Sequence, residues 1–141
     1  MKYNRHSSLN EKGQSLTELA TTLVFMLILL AGIVELSRAF FAYIAIRDAA
    51  QEGASYGSVC PSGDIEGRVR DASSNPVDLS DTTNVTVSVS TTGSGVAGDG
   101  VQVTVAHDFH VIMPFLGTII GSQTINISTT VIDTILTTAC P

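Results

Sequence analysis

Few side chains in this sequence have the types and spacing of a catalytic or metal site, and the most suggestive group is His107, Asp108 and His110. Imidazole and carboxylate groups bind transition metals and transfer protons. On a β-strand, however, successive side chains point to opposite faces, so His107 lies away from Asp108 and His110. Ligands on opposite faces cannot share one ion without a bulge, and we therefore predict no metal site here.

Other motifs that carry chemistry are missing from the sequence. It contains no glycine-rich phosphate loop, no zinc-type spacing of Cys and His, and no arrangement of nucleophile, base and acid. We predict that the protein is not an enzyme, has no catalytic residue and needs no cofactor. Its formal charge of −6 argues against a nucleic-acid partner.

The composition points instead to a membrane. The 141 residues are 44% hydrophobic and only 14% charged, whereas about 25% of the residues in soluble domains are charged. Most of the apolar excess lies in residues 16–36, which as an α-helix would span about 31 Å, enough for the hydrocarbon core of a bilayer. Lys2, Arg5 and Lys12 precede this segment. The positive-inside rule therefore favours a cytoplasmic N-terminus and an exported C-terminal part.

Two other interpretations of the apolar segment compete with a membrane helix. A cleaved secretory signal also has a basic start and an apolar stretch, but bulky residues occupy the place of its small-residue cleavage site. A buried helix of a soluble protein would need more surrounding chain than this sequence has.

The helical period continues beyond the apolar segment. Apolar residues recur there at steps of three or four; they are Leu36, Phe40, Tyr43, Ile46, Ala50 and Ala54. We predict that the helix ends near Gly53 or Gly57, either of which suits a left-handed cap. Such a helix is about twice as long as the bilayer core is thick, so its outer half needs a protein partner.

The remainder of the chain supplies that partner. Valines alternate with polar residues over 85–89 and 101–105, a third apolar alternation covers 124–136, and a glycine-rich stretch between the first two predicts a flexible hairpin connection. Residues 62–72 predict a short amphipathic helix. We therefore predict an α+β fold, in which the long N-terminal helix packs on a small antiparallel sheet.

Cys60 and Cys140 both lie in the part predicted to be exported, where thiols can oxidise. Two cysteines allow one intrachain bond, which would close a loop of about 80 residues and contribute about 4–5 kcal/mol in the chain-entropy model. We favour this disulfide over two free thiols.

Glu18 is the unusual residue of the apolar helix. A carboxylate at the centre of a membrane helix costs about 2.5–3.5 kcal/mol and less near the interface, so it normally has a partner or a function. The alternative is that Glu18 simply benefits from the positive end of the helix dipole.

The order of these features resembles the N-terminal signature of TadE-like proteins, which are pilin-like subunits of tight-adherence (Tad, Flp, type IVc pilus) systems. Lys12 and Gly13 are followed by Glu18, the apolar run and the sequence QEGA at residues 51–54. The resemblance covers residues 12–57, and the β-rich remainder agrees in general character, including a loop with Pro114 and Gly117 before the third strand.

The resemblance implies that a prepilin peptidase cuts after Gly13. Residues 1–13 would then be a cytoplasmic leader, residues 14–57 the long helix, and residues 58–141 an extracytoplasmic β-rich domain. The mature chain would begin at Gln14, where many type IV pilins have Phe, and its new amine is a candidate for methylation. Cleavage leaves four basic and twelve acidic side chains, a formal charge of −8.

Glu18 would be the fifth residue of the mature chain and, by the same resemblance, an assembly residue that pairs with an N-terminal amine. The implied partners are prepilin peptidase, other pilin or pseudopilin subunits, an inner-membrane assembly platform and the lipid bilayer. The implied location is the bacterial inner membrane and then the pilus. We predict a minor subunit of the filament; a major subunit and an uncleaved single-pass anchor are the alternatives.

Overall fold

The computed structural model describes residues 8–140, with the side chains of residues 8–12, 114 and 115 left out of the description. Its elements in chain order are α1 (Ser8–Val59), α2 (Ile65–Asp71), β1 (Val85–Thr92), β2 (Gly100–His110), α3 (Pro114–Ile120) and β3 (Thr124–Thr134). Lys2 and Arg5, on which the predicted orientation depends, lie outside the described residues.

The chain forms two compact units, an N-terminal unit that ends at Leu36 and a sheet unit that begins at Ser37. In the sheet unit the three strands form one antiparallel sheet in the order β1-β2-β3. Val103 at the centre of β2 pairs with Val89 on one side and Val131 on the other. The part of α1 that follows Ser37 packs on this sheet, so the predicted α+β fold is confirmed.

The core of the sheet unit lies between α1 and β2. Val101, Val103 and Val105 are completely buried, as the alternating pattern predicts, and each contributes about 1.5–3 kcal/mol by leaving water. The facing side of α1 consists mainly of small residues, and the buried ones are Ala42, Ala45, Ile46, Ala49, Ala50 and Ala54.

The prediction of the buried face was therefore correct for the outer turns of α1 and wrong for the first turns. Phe40 and Tyr43 are largely exposed, and the smaller Ala42 and Ala45 take the buried positions instead. Alanine allows the helix backbone to approach the sheet closely, which a phenylalanine at the same position would prevent.

α1 ends at Val59, two residues after Gly57, so its end lies near the predicted position, but neither Gly53 nor Gly57 has the left-handed conformation expected of a cap. A Cβ atom on Gly53 would overlap Cγ2 of Val69, and one on Gly57 would lie 2.8 Å from Cδ1 of Ile65 and 2.9 Å from Cγ2 of Val101. The two glycines thus serve close packing against α2 and β2 and do not terminate the helix.

Two connections differ from their sequence predictions. The hairpin between β1 and β2, predicted as flexible, is held by the Asp99 carboxylate, which accepts hydrogen bonds from the backbone N–H groups of Ser94 (2.8 Å) and Val96 (3.1 Å). The predicted loop with Pro114 and Gly117 is the helix α3. Proline suits the first turn of a helix, and Gly121, with φ of 80°, provides a left-handed cap whose N–H binds the Gly117 carbonyl.

The segment after β3 returns to the end of α1. The Leu136 N–H donates to the Ser58 carbonyl at 2.7 Å, and Ile135 exchanges backbone hydrogen bonds with the hairpin at Gly98 and Asp99. A disulfide then joins Cys140 to the buried Cys60. The outer end of α1, the hairpin and this segment are therefore fixed to one another.

Replacing Gly53 with Ala tests the close packing of α1. Overpacking costs about 1–3 kcal/mol, which exceeds the roughly 1 kcal/mol that alanine gains over glycine in a helix. We expect Gly53→Ala to lower the melting temperature of the detergent-solubilised chain. Gly32→Ala is the matched control, since no atom lies within 4 Å of a Cβ there. Equal melting temperatures for the two variants would contradict the packing role.

Replacing both cysteines with serine tests the contribution of the disulfide. We expect the free energy of unfolding of the sheet unit to fall by about 4 kcal/mol, because the unfolded chain is no longer closed into a loop of about 80 residues. Denaturant titration of the two proteins measures this difference. Mass spectrometry under non-reducing conditions should find no free thiol in the wild-type protein, and two free thiols would contradict the bond.

Candidate functional site: the start of the apolar helix

The N-terminal unit is an apolar helix whose large side chains are exposed. Its large apolar side chains between residues 16 and 36 are 49–73% exposed. By length and composition the described helix Gly13–Val59 could cross a membrane, and only 6% of its apolar 18-residue segment is buried. A core helix of a soluble protein would be mostly buried, so that interpretation is wrong. A signal sequence passes the same test of length and composition.

A polar patch lies at the start of this helix. It consists of side chains on neighbouring turns that border a shallow, open depression of about 490 Å³; they are Gln14, Thr17, Glu18, Thr21 and Thr22. All of them are exposed. Because residues four apart share a helix face, Gln14 and Glu18 lie on the same side of α1.

The hydroxyl groups of the patch bind the helix backbone. Thr17 Oγ1 donates to the Gly13 carbonyl at 2.6 Å, and Thr21 Oγ1 donates to the Thr17 carbonyl at 2.9 Å. These bonds satisfy the threonine hydroxyls inside the helix. Glu18 is the ionisable side chain of this patch, and it is exposed.

Gly13 and Gln14 both lie within α1, so the peptide bond between them is part of a helical turn. Nothing lies within 4 Å of the position that a Cβ of Gly13 would occupy. Glycine is about 1 kcal/mol less favourable than alanine in a helix interior. Gly13 therefore lowers the local stability of the helix at the Gly13–Gln14 bond.

The sequence QEGA has a packing role that sequence reasoning did not identify. Glu52 forms an ion pair with Arg68 of α2 (2.9 Å), while Gly53 and Ala54 are buried against the core. Sequence reasoning could have identified this role, because small residues lie beside charged ones along the part of α1 that packs on the sheet. The structure places this motif in the sheet unit and the polar patch in the N-terminal unit.

A second concave region lies in the sheet unit, with a volume of about 800 Å³. The Arg38 guanidinium carbon lies 5.1 Å from the centre of the Phe109 ring at its border. His107 and Asp108 also border it, and Asp108 Oδ1 accepts a hydrogen bond from Asn126 Nδ2 at 2.8 Å. Among the side chains that the structure describes, no three of His, Cys, Asp or Glu lie close enough to hold a metal ion.

The same region contains a carboxylate, Asp81, whose pKa is lowered. The Asn84 side-chain amide donates to Asp81 at 2.7 Å and the Thr83 backbone N–H donates to it at 2.9 Å. Both bonds favour the ionised form, so they lower the pKa of Asp81 below its usual value. Asp81 thus organises the turn that leads into β1 and is not available as an acid at neutral pH.

Comparison with known proteins gives a family match over the part of the chain that contains the polar patch. No curated protein and no solved structure gives a significant match to the chain. The model of one protein family, described as TadE-like protein, matches residues 13–55. This match begins at Gly13, includes Glu18 and ends just after QEGA, so it covers the helix and leaves the strands outside. The TadE-like family is a pilus-associated, structural family, and its match confirms the resemblance found in the N-terminal sequence.

Proposed function

We propose that this protein is a pilin-like structural subunit that a prepilin peptidase cleaves after Gly13 and that assembles through its N-terminal helix into a Tad pilus or pseudopilus. The observation that carries the proposal is the start of the family match at Gly13, five residues before the carboxylate of Glu18. An exposed apolar helix with one polar patch at its start is what such a subunit requires. The β-rich sheet unit favours a minor subunit, by analogy with the very short major pilins of these systems.

The local structure around Gly13 supports cleavage there. A peptidase must reach the carbonyl carbon of the bond, which the helix protects through backbone hydrogen bonds and through the Thr17 hydroxyl. Glycine lowers the cost of opening this turn, and opening it also releases the Gly13 carbonyl from the Thr17 hydroxyl. Removal of residues 1–13 would create an ammonium group on Gln14, close to the positive end of the helix dipole.

Glu18 can neutralise that new charge. It lies one helical turn after Gln14, within reach of an amine on its own chain or on a neighbouring subunit. An ion pair of this kind in a low-dielectric environment is costly to leave half formed, because either charge alone would be desolvated without compensation. Pairing between subunits would therefore favour a defined axial position of one helix against the next.

The exposed side chains of residues 16–36 support the remaining partners. In the inner membrane their surface is covered by lipid, and in a filament it would be covered by the helices of other subunits, in a homo- or hetero-oligomer. An assembly platform in the inner membrane would transfer the subunit between these two environments. The cytoplasmic position of residues 1–13 follows from the positive-inside rule and is part of the same proposal.

The N-terminus of the mature protein tests cleavage. In a bacterium with a prepilin peptidase we expect a chain that begins at Gln14 and lacks the mass of residues 1–13. Gly13→Val should abolish processing because it places a branched side chain beside the bond, while Gly32→Val makes the same substitution deeper in the helix and should leave processing intact. A wild-type chain that retains Met1 or Lys2 would support the uncleaved anchor instead, and cleavage beyond the apolar segment would support a secretory signal.

Substitution of Glu18 tests assembly separately from cleavage. We expect Glu18→Ala and Glu18→Val to be processed and membrane-bound, but to enter the pilus fraction at least about tenfold less, because an unpaired buried charge costs about 3–5 kcal/mol. Immunoblots of sheared pili and membranes measure the ratio. Glu11→Ala, in the segment to be removed, is the matched control. Unchanged incorporation of Glu18→Ala would leave only the helix-dipole role for this carboxylate.

A further inference from the structure

One end of the sheet unit exposes apolar side chains that no core contact explains. Ile112 is 68% exposed, and Ile119 in α3 is 81% exposed, the highest exposure among the large apolar side chains described. Residues 111–125 contain no Asp, Glu, Lys or Arg, although the chain as a whole is acidic. An isolated exposed isoleucine is ordinary, but an uncharged segment of this length with several exposed isoleucines indicates an interaction surface.

The packing of β2 on α1 shows which end of the sheet unit this is. Gly57 lies against Val101 and Gly53 against Val103, so β2 runs in the direction opposite to α1. The Arg38 guanidinium carbon lies 5.1 Å from the centre of the Phe109 ring, so an earlier residue of α1 again meets a later residue of β2. β2 therefore ends beside the first turn of the sheet unit, and α3, which follows it directly, lies at the end that begins with Ser37.

That end is joined covalently to the apolar segment. Ser37 follows Leu36, the residue at which the N-terminal unit ends. On the first turn after it, Phe40 and Phe41 are each 59% exposed and their rings contact each other edge to face at 6.4 Å. Exposed aromatic and aliphatic side chains thus occur on two separate elements, α1 and α3, at the same end of the unit.

We propose that the apolar end of the sheet unit, formed by Ile112, Ile119 and Ile120 with Phe40 and Phe41, inserts into the surface of the bilayer that the apolar helix spans. The proposal rests on the membrane anchoring included in the proposed function. Lipid is the occupant that fits, because this end is tethered to the predicted span and because uncharged isoleucines gain by entering the boundary between headgroups and acyl chains.

The charges at the same end limit the depth of insertion. Asp78, Asp81 and Asp108 border the neighbouring concave region and must remain hydrated. The apolar end therefore lies in the headgroup and upper acyl region, and the strands remain in water. This contact would restrict how far the sheet unit can tilt or rotate before the subunit leaves the membrane for the filament.

Tryptophan fluorescence can test this contact, because the sequence contains no tryptophan. The full chain would be reconstituted in phosphatidylcholine vesicles whose acyl chains carry bromine, which quenches tryptophan, either near the glycerol or near the methyl end. Ile119→Trp and Ile112→Trp report on the proposed contact and Phe25→Trp on the apolar helix. Val96→Trp, on the exposed hairpin at the other end of the sheet unit, is the matched control.

We expect bromine near the glycerol to reduce the emission of Ile119→Trp about twofold, and bromine near the methyl end to reduce it less, as for a side chain at interfacial depth. Phe25→Trp should be quenched more by the deep bromine, and Val96→Trp by neither. Quenching of Phe25→Trp without quenching at Ile119 and Ile112 would overturn the inference and leave the anchor intact. If the residue at 119 is also inaccessible to aqueous acrylamide, a second copy of the chain covers it. Absence of quenching at Phe25 would refute the membrane anchor itself.

Discussion

The sheet unit depends on the close approach of α1 to β2. Three fully buried valines on the strand meet a helix face of alanines, together with Gly53 and Gly57, where even one additional methyl group would collide with a neighbour. Small residues on α1 allow its backbone to lie close to the sheet. The position of α2 and its ion pair from Arg68 to Glu52 follow from this contact, as does the direction of β2, which determines where α3 emerges.

The two parts of α1 differ in which side chains are buried, although they form one helix from Ser8 to Val59. Up to Leu36 apolar side chains lie on all sides of the helix, as expected for a helix surrounded by lipid or by other helices. After Ser37 the buried side is a narrow face of mostly small residues together with Ile46, whereas Phe40 and Phe41 lie outside that face and are exposed. A single helix thus combines a segment whose large apolar side chains are exposed with a segment whose small residues are buried against the sheet.

The sequence patterns predicted the elements better than their contacts. Alternating valines identified β1 and β2 because a strand with one buried face has a strict period of two. The helical period of α1 was also clear, but hydrophobicity alone suggested that Phe40 would be buried. The short distance between the backbones of α1 and β2 instead leaves room mainly for small side chains. α3 was missed because Pro114 and Gly117 together suggest a loop, although proline suits the first turn of a helix and the glycine that ends this helix is Gly121. Gly13, Gln14 and Glu18 were predicted as site residues from the order of a motif, since isolated polar residues on an apolar helix have no other distinguishing geometry.

The backbone hydrogen bonds of the segment after β3 have a consequence for biosynthesis. Ile135 is buried, and it bonds to the hairpin while its neighbour Leu136 bonds to the carbonyl of Ser58. Residues 58 and 135 are far apart in a chain that is synthesised from its N-terminus, so the outer end of α1 and the hairpin remain incomplete until almost all of the chain is available. The apolar helix can therefore form well before the sheet unit closes, and an interrupted product would contain that helix without a complete sheet unit.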